Sequence, residues 1–271
     1  MEQYNRLLVF CSILFIMIIW ELIIPYYKAD QKKSIRWTNN FLITIINTLL
    51  MNIFFLSSAS GIAQMANENG YGLLNLFSLP NWLMILLSII LLDFAIYLQH
   101  LILHKVPLFW RFHRMHHADI VFDVTTALRF HPIEIICSMM YKIVIILIIG
   151  ADPLSVILFE MILNGMAMFN HGNVKLPKKL DPFLRFILVT PAMHRIHHSV
   201  LVTETNSNFG FNISLWDRIC KTYRADSKKK SDQIIIGLPV FRASKYLKLQ
   251  WMLLIPFISD SKIDKEMTLN P

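Results

Sequence analysis

Five stretches of this chain are apolar for long enough to cross or enter a lipid bilayer, and that leaves few folds open to it. Leu7 to Ile24 is broken only by Ser12 and Glu21. Phe41 to Ser57 is a second run, and Trp82 to about Leu103 a third. Ile133 to Ile149 and Leu154 to Phe169 form a hairpin about Gly150-Ala-Asp-Pro153, each arm short for a full crossing. In lipid, a spanning segment must satisfy its own backbone, which a helix does. The pattern therefore predicts an all-α polytopic membrane protein with four to five transmembrane or re-entrant helices. The first run exceeds a signal-peptide core and no A-x-A cleavage site follows, so it reads as a retained helix.

Composition agrees: 55% of residues are hydrophobic and only 16% charged, against about a quarter charged in soluble domains. Cys11, Cys137 and Cys220 are scattered and form no C-x-x-C, which argues against a disulfide framework or a thiolate zinc site. The net charge of +8 comes from basic residues that flank apolar runs. That placement suits anionic lipid headgroups and not nucleic acid. Lys28–Arg36, Lys105–Arg129 and the chain after Lys175 are basic, whereas Ser58–Asn81 and the Gly150 turn are not. One orientation satisfies all of them, with every basic segment in the cytoplasm. Three parts are expected: N-terminal transmembrane helices over 1–81, a catalytic region over 82–225, and a tail over 226–271. The tail comprises a solvated loop, Ser227–Gln233, and an amphipathic segment, Phe241–Phe257, that lies on the membrane or packs back on the catalytic region.

All ten histidines fall between His100 and His198. His100 and His104 form an H-x-x-x-H; His113, His116, His117 and His194, His197, His198 form two copies of H-x-x-H-H; His131 and His171 stand alone. Positions i, i+3 and i+4 share a helix face, so each cluster aims its imidazoles at one point. A lone histidine is usually a core or surface residue, but three clusters of neutral imidazoles would bury many unpaired ring nitrogens unless a metal took them. The clusters predict a polynuclear metal centre in a cytoplasmic helical cap. Shared between two metals, ten imidazoles would leave an open position on each, as catalytic sites do. The donor set admits iron, zinc or copper(II). Carboxylates that could offset the charge behind the ligands are Asp93, Asp119, Asp123, Glu134 and Glu204, with Asn170 a further candidate beside His171. A zinc hydrolase, a metal transporter and a metal-stabilised scaffold are the competing readings. H-E-x-x-H is absent, and many ligands at helix ends suit retention over transport.

The three histidine clusters resemble those of the fatty acid hydroxylase/sterol desaturase superfamily. Between and after them, Asp123-Val-Thr-Thr-Ala-Leu-Arg-Phe-His-Pro-Ile-Glu134, Phe169-Asn-His-Gly-Asn-Val174, Thr190–Ser199, Glu204–Gly210, Ser214-Leu-Trp-Asp-Arg218 and Thr222-Tyr-Arg224 are similar to its bacterial members. The likeness runs from about Trp82 to Arg224. It implies a non-haem di-iron centre that uses O2 to hydroxylate an unactivated C–H bond of a fatty acyl, sterol-like or ether lipid, desaturation being the nearest alternative. It also implies that His100, His104, His113, His116, His117, His171, His194, His197 and His198 are ligands, with His131 a ligand or a supporting residue. No haem or flavin motif is present, so electrons would come from a separate ferredoxin, cytochrome or flavin reductase. The bacterial inner membrane is the expected location.

Overall fold

The computed structural model describes residues 2–28, 32–55, 57–177, 179–229 and 233–259. Lys230–Asp232 of the expected basic loop and the last twelve residues lie outside the described residues. Seven longer helices organise the rest: α1 (Glu2–Ile23), α2 (Lys33–Phe54), α3 (Ala59–Glu68), α4 (Asn81–Lys105), α5 (Pro107–His117), α6 (Pro132–Ile149) and α7 (Pro153–Asn170). Among the described residues, five segments are long and apolar enough to cross a membrane; they begin at Tyr4, Lys33, Asn81, Pro132 and Pro153. Among the described residues there are only isolated β-bridges and no strands, so the chain is all-α.

Proline sets the helix boundaries. α5, α6, α7 and the short helix Pro191–His197 each begin with proline at the first turn, where its missing N–H costs nothing. Val106, held extended before Pro107, ends α4 and lets α5 start in a new direction. Asp152 and Thr190 cap the helices that follow them by accepting from Ser155 N and Met193 N.

The Ser58–Asn81 connection is more ordered than its Gly and Asn content suggests. It forms α3, whose Ala59 and Ala63 pack with Leu92, Ile96, Ile146 and Phe159 of α4, α6 and α7. At this end Gly72 (φ 95°) and Gly150 (φ 66°) meet backbone to backbone. A Cβ on Gly72 would lie 2.1 Å from Gly150 N, and one on Gly150 2.6 Å from Tyr71 O.

At the other end, α1 and α2 are tied to the histidine-bearing segments. Glu21 accepts from Val124 N and Asn173 N, both at 2.7 Å. Arg36 of α2 is fully buried and bridges Asp119 (2.7 and 2.9 Å) and Asp123 (2.8 Å). The Phe241–Phe257 segment forms short helical turns, not one amphipathic helix, and packs back on the protein. Tyr246, Met252 and Ile255 are buried against Met115 and Ala118 beside α5. Arg114 of α5 donates to the carbonyls of Ile255 (2.8 Å) and Ile258 (2.7 Å), and Arg129 to Tyr246 O (3.1 Å).

Candidate metal centre

The last two turns of α4 carry His100 and His104 on one face; α5 carries His113, His116 and His117. His171 is the C-cap of α7, and Pro191–His197 with its C-cap residue supplies His194, His197 and His198. These elements bring nine histidines into two adjoining groups. His100, His104, His113, His117 and His197 form one; His116, His171, His194 and His198 form the other. Within each group one ring nitrogen per residue lies within 4.8 Å of all the others.

The nitrogens are arranged for cations and not for one another. In the group of five, every Nε2 is buried without a hydrogen-bond partner. In the group of four, His171 Nε2 lies 3.1 Å from His116 Nε2, 3.1 Å from His194 Nε2 and 3.2 Å from His198 Nε2. A ring nitrogen carries at most one proton, so it cannot hydrogen-bond to three others at once. Spaced this way, the nitrogens subtend about 95–100° at an ion about 2.1 Å from each, a normal metal–imidazole length. The donor set therefore fits two metal ions of the imidazole-preferring kind.

Several rings are fixed from behind. His113 Nδ1 donates to Glu134 Oε1 at 2.7 Å, His100 Nδ1 to Phe209 O at 2.7 Å, His197 Nδ1 to Ser207 O at 2.8 Å and His171 Nδ1 to Ala167 O at 2.7 Å. Each bond puts the proton on Nδ1 and turns Nε2 toward the group. The carbonyls of Ser207 and Phe209 belong to a loop built with care. Asn208 adopts φ 56° and bonds Met193 O, Arg224 O and Arg224 N, while Asp217 accepts from Phe209 N and Gly210 N at 2.8 Å. A Cβ on Gly210 would meet Asp217 Oδ2 at 2.9 Å. The sequence alone does not single out these carbonyl acceptors; their signal is the Asn-Ser-Asn-Phe-Gly string itself. Phe130 was missed too, stacking on His116 with centroids 4.5 Å apart and planes at 9°.

His131 corrects the expectation of ten converging imidazoles, for it joins neither group. It is the N-cap of α6: its Nδ1 accepts from Ile133 N at 3.2 Å and its Nε2 reaches Leu253 O at 3.3 Å. The His131-Pro132 pair thus plays the same part as Asp152-Pro153 and Thr190-Pro191. Of the other expected residues, only Glu134 bonds a histidine. Asp93 accepts from Trp216 Nε1 at 2.7 Å, which fastens the Ser214–Arg218 turn to α4. Asp119 and Asp123 hold Arg36, although both carboxylates also act on His171 through their field. Asn170 donates to Phe211 O at 2.5 Å, and Glu204 accepts from Ser227 and Lys228 N in the tail.

Burial and mutual repulsion keep six imidazoles outside the spanning segments neutral. Burial lowers His171 to about 4 and His197 to about 3, and holds His116, His117, His194 and His198 well below the ordinary value. Asp119, in contrast, stays charged: against the cost of its burial, Arg36 draws it down to about 2. Beside His100 and His113 opens a cavity of about 490 Å³ that runs between the membrane helices past Phe130, Leu128 and Ile96. Its size suits one small ligand or a good part of a lipid.

Residues 85–222, just over half of the chain, match the fatty acid hydroxylase family. Among curated proteins, the chain is 27% identical over 236 residues to an ornithine lipid hydroxylase of Rhizobium tropici, covering 83% of this chain and 69% of that one. It is 30% identical over 168 residues to the human alkylglycerol monooxygenase, covering 60% of this chain and 35% of that one. It is 28% identical over 151 residues to a very-long-chain aldehyde decarbonylase of rice, covering 52% and 22% respectively. No solved structure was found to match it.

Proposed function

The chain belongs to the fatty acid hydroxylase family, and from that premise we propose that it is a membrane-bound di-iron oxygenase that hydroxylates an unactivated C–H bond of a lipid. The observation that carries the reading is the pair of adjoining groups of five and four buried histidines beside a cavity that runs between the membrane helices. His100, His104, His113, His117 and His197 would hold one iron, and His116, His171, His194 and His198 the other. Iron held there supplies the reductive use of dioxygen against a C–H bond. The rest of the work belongs to the protein.

Glu134 and the carbonyls of Ala167, Ser207 and Phe209 keep the protons of His113, His171, His197 and His100 on Nδ1, so that Nε2 is free for metal. Phe130 and Phe122 close the group of four against water, and Phe209 and Trp110 do the same for the group of five. The cavity delivers substrate from the bilayer to His100 and His113, while the cap faces the cytoplasm of the bacterial inner membrane. A separate ferredoxin, cytochrome or flavin reductase brings the electrons.

Metal analysis of detergent-purified protein from iron-fed cells tests this directly. About two irons per chain, with oxygen uptake that needs added reductant and lipid, is the expected result. Retained zinc without iron-dependent oxygen uptake would overturn it in favour of a hydrolytic or purely structural site.

A further inference from the structure

The walls of the cavity are not what an acyl tail requires. On α6, Glu134, Ser138 and Lys142 recur at i, i+4 and i+8 in an otherwise apolar helix, and all three line the cavity. On α2, Thr44, Thr48 and Asn52 repeat the same spacing and also line it. Gln99 of α4 donates to Ser138 Oγ at 2.5 Å across the space. Lipid-facing positions of these helices, such as Ile45, Leu49, Val144 and Ile148, are apolar and exposed. On α6 the polar residues are thus turned into the cavity, and on α2 Thr48 and Asn52 line an exposed stretch of the same wall.

At the end of the α6 stripe away from Glu134 sits charge. Lys142 Nζ donates to Glu160 Oε1 of α7 at 2.6 Å, and Arg6 of α1 pairs with Glu160 as well. Lys142 and Arg6 line the cavity, whereas Glu160 does not. An ionisable side chain inside a spanning helix is costly to keep and usually marks a binding site or a relay. Eight residues of helical rise separate Lys142 from Glu134, which holds His113; that is roughly 12 Å, under half of a ~30 Å hydrocarbon core.

The geometry points to Lys142 and Arg6 as the subsite that holds an anionic group of the substrate, a carboxylate or a phosphate, inside the membrane bundle. The identity of the reacting end rests on the oxygenase reading above; with it, the C–H bond attacked lies on the order of 12 Å of helical rise along α6 from that anionic group. The polar stripe on α6 then runs alongside the bound segment from anchor to histidines. Substrate is selected for its anionic end as well as for its chain.

The test is competition photolabelling of the full chain in phosphatidylcholine nanodiscs. A long-chain fatty acid with a mid-chain diazirine is displaced by dodecanoate, dodecyl phosphate or methyl dodecanoate, and the label is mapped by mass spectrometry. In the wild type either anion should displace the label at concentrations about tenfold lower than the ester, the worth of one charge-assisted hydrogen bond. The anion that is preferred identifies the carboxylate or the phosphate source. Lys142→Met should erase the preference and Lys142→Arg keep it. If Lys142→Met does not assemble, Arg6→Gln is read in its place for the same loss. Equal displacement by acid and ester in the wild type would overturn the subsite. So would a variant that melts lower yet keeps the preference, since the cluster would then only pin α1, α6 and α7 together. Labelling needs neither iron turnover nor electrons. A kept preference without oxygen uptake would therefore sink the oxygenase reading and leave this one standing.

Discussion

Glu134 shows how much a single side chain does here. It is buried, its one oxygen accepts from His113, and its other oxygen has no partner in the wall of the cavity. Glu134→Ala would leave His113 Nδ1 without its acceptor and free the ring to turn. Iron affinity, read by competition with a chelator, should fall about 10- to 100-fold, with Glu134→Gln recovering part of the loss. His131 predicts the opposite. Because both its nitrogens serve backbone groups, His131→Ala should keep the full metal content and cost only a helix cap, about 1 kcal/mol in thermal or denaturant unfolding. The neutral imidazoles also set a pH dependence. The unfolded chain takes up protons below about 6.5, while burial holds His171 near 4 and His197 near 3 in the folded one. Metal-free protein should therefore lose stability as pH falls from 6.5 toward 4 and hold it above; a melting midpoint flat across that window would contradict the burial of these rings.

Helices and loops are the scale at which the sequence was most and least legible. Apolar run length gave the spanning helices, and His spacing at i, i+3 and i+4 gave the faces that converge, because both depend on local periodicity. His131-Pro132 misled because capping and ligation use the same nitrogens, and only the fold says which partner arrives. The Ser207 and Phe209 carbonyls show in the sequence only indirectly, through the Asn-Ser-Asn-Phe-Gly string that shapes their loop. Arg36 is the clearest long-range surprise: its place among basic loop residues gave no sign that it would be sealed between Asp119 and Asp123, 83 and 87 residues away. Arg36→Met should leave two buried carboxylates without the cation that bridges them and lower unfolding stability by about 3–5 kcal/mol. Joint replacement with Asp119→Leu and Asp123→Leu should restore much of that, and a failure of the triple variant to do so would assign the loss to packing alone.

Across the whole molecule, the two histidine groups draw on four segments spread from α4 to the turn at His198, and they sit where α1, α2 and the C-terminal turns close over α5. The cap so formed has many buried polar groups and modest apolar packing of its own, so ligand nitrogens left bare are a standing cost. Stripping metal with a membrane-permeant chelator should lower the melting midpoint by several degrees and expose Pro191–His198 to hydrogen exchange before the spanning helices; unchanged exchange there would detach the centre from the fold. Metal that completes a fold also decides which copies survive. In a cell short of iron, newly made chains would insert in the membrane with the cap unsewn and open to proteases. The amount of this protein would then follow iron supply with no transcriptional control, and lipid modification would be shed first when the metal is scarce.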